Sequence, residues 1–146
     1  MSINKVVIGG DHAGFDLKEK IKKYLVDKNY DVLDVGTHSR DSTDYPDYAH
    51  PLAEIVEKEE GVYGVLICGS ANGVCMTANK HQGIRAAIAW LPELAALAKQ
   101  HNNANVICVP SRFIEEQVGL DIIDSFLKTD FEGGRHEKRV NKIAQI

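Results

Sequence analysis

Five short apolar runs recur along the chain, KVVIG (5–9), YDVLDVG (30–36), YGVLICG (63–69), IRAAIAW (84–90) and ANVICVP (104–110), with longer segments between them. Those segments carry a helical period. In FDLKEKIKKYLVDK (15–28), Phe15, Leu17, Ile21, Tyr24 and Leu25 form one apolar stripe, and YAHPLAEIVEKEE (48–60), PELAALAKQH (92–101) and IEEQVGLDIIDSFLKT (114–129) behave likewise. Strand-length runs alternating with helices are the pattern of repeated βα units, which build an open parallel sheet with helices on both faces. The chain is therefore read as α/β. With 146 residues, 44% of them hydrophobic, it has the length of one domain, and a single domain over 1–146 is expected. GGRHEKRVNKIAQI at the C-terminus reads as a final helix, about 134–146, after a two-glycine break.

Composition excludes several classes of function. A net charge of -4 supplies no basic field for a polyanion, so nucleic acid is not an expected partner. The first residues, MSINKVVIGGDH, hold one Lys and no signal-like apolar region, and no apolar stretch approaches the roughly 18 residues of a membrane span. A soluble, cytoplasmic protein without membrane contact is expected. The cysteines, at 68, 75 and 108, are odd in number and form no C-x-x-C pair, and the six histidines form no H-E-x-x-H. Neither a disulfide framework nor a bound metal is expected.

Ligands of doubly wound sheets bind outside the carboxyl ends of the strands. The residues to weigh are thus Gly10-Asp11-His12, Gly36-Thr37, Cys68 to Gly73, and Pro110-Ser111-Arg112. GGDHAGF after the first run suggests a dinucleotide fingerprint, but the middle glycine of G-x-G-x-x-G is here Asp11, a carboxylate where a pyrophosphate would approach. Asp34, 20 residues past Gly14, stands where a ribose-binding acid would fall. The plainer role for Asp11 is an N-cap of the next helix.

Cys68 ends a strand-like run and is followed by a loop of small residues, Gly69, Ser70, Ala71, Asn72 and Gly73. A thiol beside bared N–H groups and a helix N-terminus can fall well below the free cysteine pKa of about 8.5 and act as base or nucleophile. The glycines permit close backbone approach, and the N–H groups could hold an oxyanion. Cys75 and Cys108 read as apolar fillers. Near the C-terminus, Arg135, His136, Lys138 and Arg139 crowd the first turns of a helix, where cations oppose the dipole. An anion would reverse that penalty, and paired arginines suit a phosphate. A phosphate clamp, a strand-end thiol, an oxyanion loop and the acid/base candidates Asp11 and His101 outline proton abstraction next to a carbonyl.

VVIGGDHAGFDLK, TDYPDYA (43–49), LICGSANG with ANK (78–80) and GIRAA, QHNNANV (100–106) and EGGRHEKRV (132–140) together resemble the ribose-5-phosphate isomerase B family, which includes the galactose-6-phosphate isomerase subunits. The resemblance implies a Rossmann-like three-layer αβα sandwich on a five-stranded parallel sheet. It also implies cofactor-free interconversion of D-ribose 5-phosphate and D-ribulose 5-phosphate in the pentose phosphate pathway. A homodimer or dimer of dimers is implied, with interfacial active sites against which the C-terminal helix packs. By the same resemblance Cys68 is the base acting through a cis-enediolate, Ser70 passes the hydroxyl proton, and the N–H groups from Gly69 to Gly73, Asn72 included, hold the enediolate oxygen. Asp11 binds sugar hydroxyls, His101 opens the furanose ring with Asn102 beside it, and Tyr45 lines the sugar pocket. His12, Arg112, Arg135, His136 and Arg139 receive the phosphate.

Two positions depart from the family pattern. Ala71 stands where glycine is usual, and Val74 stands where one branch carries a glutamate base, leaving Cys68 with that role. The alternatives are an isomerase of a six-carbon sugar phosphate, such as galactose 6-phosphate or allose 6-phosphate, a non-catalytic sugar-phosphate or nucleotide-binding module, and an NAD-dependent enzyme.

Overall fold

In the computed structural model of the chain, all five strands run parallel in one sheet. It describes residues 5–146; residues 1–4, included in the single-domain expectation, lie outside the described residues. β1 (Lys5–Gly10) leads through a one-turn 3-10 helix (His12–Gly14) into α1 (Phe15–Asp27), followed by β2 (Asp31–Asp34) and α2 (Pro46–Lys58). β3 (Val62–Cys68), α3 (Asn72–Ala78), β4 (Ala86–Ile88), α4 (Pro92–Asn102), β5 (Val106–Pro110), α5 (Glu116–Lys128) and α6 (Arg135–Ile143) complete the fold.

Alternation along the buried strands builds two cores, because successive side chains point to opposite faces. Val6, Ile8, Val65, Ile67, Ile107 and Val109 face α1, α4 and α5, where Leu17, Ile21, Ala95, Ile122 and Phe126 meet them. Val7, Leu66, Cys68, Val106 and Cys108 face α2 and α3, against Leu52, Val56, Val74 and Ala78. The result is the three-layer Rossmann-like sandwich.

The strand order is β2-β1-β3-β5-β4. From β1 the chain moves outward to β2 and then crosses back past β1 to β3, so the order reverses between β1 and β3, the usual place for a ligand crevice.

Several boundaries differ from the sequence expectation. β2 stops at Asp34 because Gly36 turns out of the strand region at φ +104. β4 shrinks to three residues, as Ile84 N–H bonds His81 O in a turn and Arg85 N–H bonds the Asn105 side chain. β5 starts late because Ala104 N–H returns to Ala98 O at the end of α4. α2 begins two residues early, since Pro46 suits the first helical position and Asp47 the first turn. Among the described residues no helix is long and apolar enough to cross a membrane.

Candidate active site

Asp11 closes the turn after β1. Its Oδ1 accepts the N–H groups of Ala13 (3.0 Å) and Gly14 (3.2 Å), the capping role expected of it, while the carboxylate lines the cleft beyond. Gly14 is needed for packing: a Cβ there would sit 2.3 Å from Ile67 O. The dinucleotide reading finds no support at Asp34. That carboxylate is bound by Lys18 Nζ at 2.5 Å, Lys22 Nζ at 3.2 Å and Gly36 N–H at 2.9 Å, so it is committed to the sheet edge.

The segment between β2 and α2 folds back over β1. Thr37 N–H bonds Gly10 O, Arg40 pairs with Asp16, and Thr43 N–H donates to His12 Nδ1 at 3.2 Å. That last contact makes Nδ1 an acceptor, so the proton of the neutral imidazole sits on Nε2. The same segment brings Tyr45 into the cleft.

Cys68 is the last residue of β3, opposite Pro110 of β5, and is 5% exposed. Ser111 ties the strand ends together: its Oγ lies 2.8 Å from Ala13 O and 3.2 Å from Cys68 O, and its N–H donates to Cys68 O. Arg112 lies against Gly69, where a Cβ would approach its Nη1 to 3.2 Å. Ala71 adopts the left-handed conformation (φ +68) from which α3 starts. Asn72 opens α3 exposed, its N–H donating to Ser70 Oγ at 3.3 Å. The N–H groups of Gly73 and Val74, in the first turn, precede the helix's first internal bond.

These pieces enclose a cleft of about 490 Å³ lined by Asp11, His12, Tyr45, Cys68, Gly69, Ser70, Gly73 and Arg112, with Ala13 and Phe113. Its size suits a small metabolite. Phe113, 75% exposed at the rim, and Thr43 behind His12 are additions to the sequence-based candidates, whereas Ser111 is one of the strand-end residues weighed above. The large aromatic directly after Arg112 in a strand-end segment was the available signal for Phe113. Cys108 is wholly buried, and burial, then its contact with Cys75, pushes its thiol up.

The remaining candidates gather elsewhere. α4 leaves the carboxyl end of β4 and runs back, so His101 and Asn102, in its last turn, lie at the edge where strands begin. Asn105 confirms that placement, its C=O accepting Gly64 N–H near the start of β3. Glu132 N–H bonds Gln100 O, and Gln82 donates its side-chain amide to Ala144 O, which brings α6 to the same edge. There the rings of His101 and His136 stack at 4.3 Å, and Arg135, Lys138, Arg139 and Lys142 line a basic groove of about 570 Å³ with Gly134. Among the described residues no side chain caps α6. Burial, then the neighbouring His101 and Arg135, pulls the His136 pKa below its ordinary value. Within one chain, therefore, His101, Asn102, Arg135, His136 and Arg139 do not meet Cys68.

A thiol and a carboxylate at the switch point of a parallel sheet, beside a loop with free N–H groups, place the chain among α/β enzymes acting on small carbonyl metabolites. The sequence profile described as Ribose/Galactose Isomerase matches residues 6–143, and the chain belongs to that family. The ribose-5-phosphate isomerase B of Escherichia coli (strain K12) is 42% identical over 144 residues, covering 99% of this chain and 97% of the relative. A crystal structure of a ribose 5-phosphate isomerase from Thermotoga maritima is 45% identical with a TM-score of 0.95, covering 98% of this chain and 99% of that one. The Mycoplasma genitalium ribose-5-phosphate isomerase B, solved with bound ribulose-5-phosphate, is 44% identical with a TM-score of 0.95, covering 99% and 97%.

Proposed function

We propose that the protein interconverts D-ribose 5-phosphate and D-ribulose 5-phosphate, a step of the pentose phosphate pathway, with Cys68 as the base. The observation that carries this reading is the Cys68 thiol at the end of β3, in a cleft it shares with Asp11, His12, Ser70 and Arg112. Family membership and the ribulose-5-phosphate in the Mycoplasma genitalium relative support the substrate class.

In this mechanism the Cys68 thiolate removes the C2 proton of the opened aldose, and the electron pair forms the C1–C2 double bond of a cis-enediolate. The same thiol returns the proton to C1, while Ser70 passes the hydroxyl proton between O1 and O2. N–H groups of the loop from Gly69 to Gly73 hold the enediolate oxygen, and Asp11 and Tyr45 position the sugar. Base catalysis of this type contributes about 10²–10⁴-fold, and each oxyanion donor about 10²–10³-fold.

His12 and Arg112 meet the phosphate from one chain. His101, with Asn102, for ring opening, and Arg135, His136 and Arg139 for the phosphate, come from a second copy in a homodimer or dimer of dimers. The opposite-edge placement of the two clusters supports this division.

The deciding experiment compares wild type with Cys68→Ala, following ribulose 5-phosphate formation and binding of a hydroxamate enediolate mimic. The expected result is wild-type turnover and a folded, inactive variant that still binds the mimic. A Cys68→Ala variant retaining turnover would overturn the base assignment. The family description also covers galactose isomerases, so wild type that binds the mimic but turns over only six-carbon sugar phosphates would shift the substrate assignment to those.

A further inference from the structure

Three side chains converge at the strand-start edge: His101 from the last turn of α4, Glu132 from the loop before α6, and His136 from the first turn of α6. Each offers one ligating atom, and these atoms lie within 4.8 Å of one another. Glu132 Oε1 is 3.5 Å from His136 Nε2, close to the edge of a tetrahedron whose metal–ligand bonds are about 2.0–2.1 Å long. We propose that His101, Glu132 and His136 form a binding site for a divalent transition ion, zinc foremost, with the fourth position open.

Two imidazole nitrogens and one carboxylate oxygen suit zinc, whereas magnesium and calcium take oxygen ligands. The donors are held by backbone: Glu132 N–H bonds Gln100 O and His136 N–H bonds Gly133 O, both at 3.1 Å, so the loop is fastened to the end of α4. Closing the set needs one ring to tilt from the 13° stack. The Glu132 side chain is exposed. Arg135 and Arg139 on α6 oppose a cation, and the Glu132 carboxylate offsets part of that charge.

Binding of the ion stands on this geometry alone. Its consequence rests on the reading above: His101 and His136 are there directed at the sugar phosphate, so the ion and the substrate exclude each other, and zinc is a competitive inhibitor.

The test titrates the full chain with Co²⁺ as a spectroscopic surrogate and with Zn²⁺ by calorimetry, in wild type and Glu132→Gln. Expected are one ion per chain, visible bands of four-coordinate cobalt without thiolate charge transfer, and binding at least tenfold weaker in Glu132→Gln, whose metal-free isomerase rate is unchanged. No binding at millimolar metal, equal binding in the variant, or a thiolate charge-transfer band placing the ion on Cys68, Cys75 or Cys108 would each overturn the site. In the activity assay zinc raises the apparent KM of wild type, and Glu132→Gln needs at least tenfold more zinc for the same effect. Binding as expected without inhibition would uphold the metal site and overturn the substrate-facing reading of His101 and His136.

Discussion

Tyr45 rests its ring on the backbone of Gly73, so closely that a Cβ at Gly73 would lie 2.5 Å from both Cε1 and Cζ. Gly73→Ala therefore displaces the ring from the cleft. Because Tyr45 is 40% exposed and can swing outward, the fold tolerates the change. KM for ribose 5-phosphate is expected to rise at least tenfold, about 1.4 kcal/mol of lost binding, with a nearly unchanged melting temperature. An unchanged KM would remove Tyr45 from the sugar pocket.

Ala71 occupies a left-handed conformation that costs a non-glycine residue about 1–2 kcal/mol. Glycine there relieves the strain but gives up a buried methyl worth about 0.8 kcal/mol and frees the unfolded chain by roughly 0.5–1 kcal/mol. These terms nearly cancel, and urea unfolding of Ala71→Gly should fall within about 1 kcal/mol of wild type. Ala71→Val, which forces a branched side chain into a fully buried, left-handed position, should lose about 2 kcal/mol or more.

The Lys18 ammonium is wholly buried against Asp34 at the edge of the sheet. Burial raises the Asp34 pKa, but Lys18, the Gly36 N–H and Lys22 outweigh it and hold the carboxyl below its ordinary value. The stability this contributes is present above the unfolded carboxylate pKa of about 3.9 and is lost as pH falls through the lower folded value. Asp34→Asn strands the buried ammonium with only Glu19, an expected loss of about 3 kcal/mol or more at pH 7. Urea midpoints measured against pH should show an acid limb below about pH 4 that is steeper in wild type than in the variant.

Lys99 is 2% exposed and holds its Nζ 3.9 Å from the Tyr63 ring centroid and 3.2 Å from Phe126 O. Burial lowers its pKa to about 8, with Asp130 opposing. The unfolded chain then binds more protons than the folded one above that value, so the full penalty applies below pH 8. It is relieved as pH rises toward the unfolded value of about 10.4. Lys99→Met should stabilise the protein at pH 7 by roughly 1–3 kcal/mol and remove the alkaline rise. An identical pH profile in the two proteins would contradict a charged Lys99 at neutral pH.

Alternating runs and crossover helices are enough to read the sandwich, and the strand-end rule gathers Asp11, His12, Cys68 and Arg112 from the sequence alone. The division of the candidate residues between two edges was also implicit: a crossover helix must finish where strands begin, which puts His101 away from Cys68. Local chemistry was less legible. The grouping of His101 with Glu132 and His136 joins segments remote in sequence and has no spacing signature. Lys18 and Lys99 look like solvent-facing positions because hydropathy weighs the charge and ignores the long apolar stem. The end of β2 moved because Gly36 leaves the strand conformation, and the start of β4 because side-chain and turn hydrogen bonds, invisible to periodicity, took over the ladder.

The opposite placement of the two clusters bears on how copies can be counted. A surface whose halves lie at the two ends of one sheet could join head to tail without limit, each chain completing the next and leaving an unfilled half at either end. A pairing about a twofold axis instead closes on itself. On the dimeric reading proposed above, each chain lends one half and borrows the other, so the pair holds two whole sites with nothing left over. Turnover per chain should accordingly vanish on dilution while the circular dichroism of the folded chain persists.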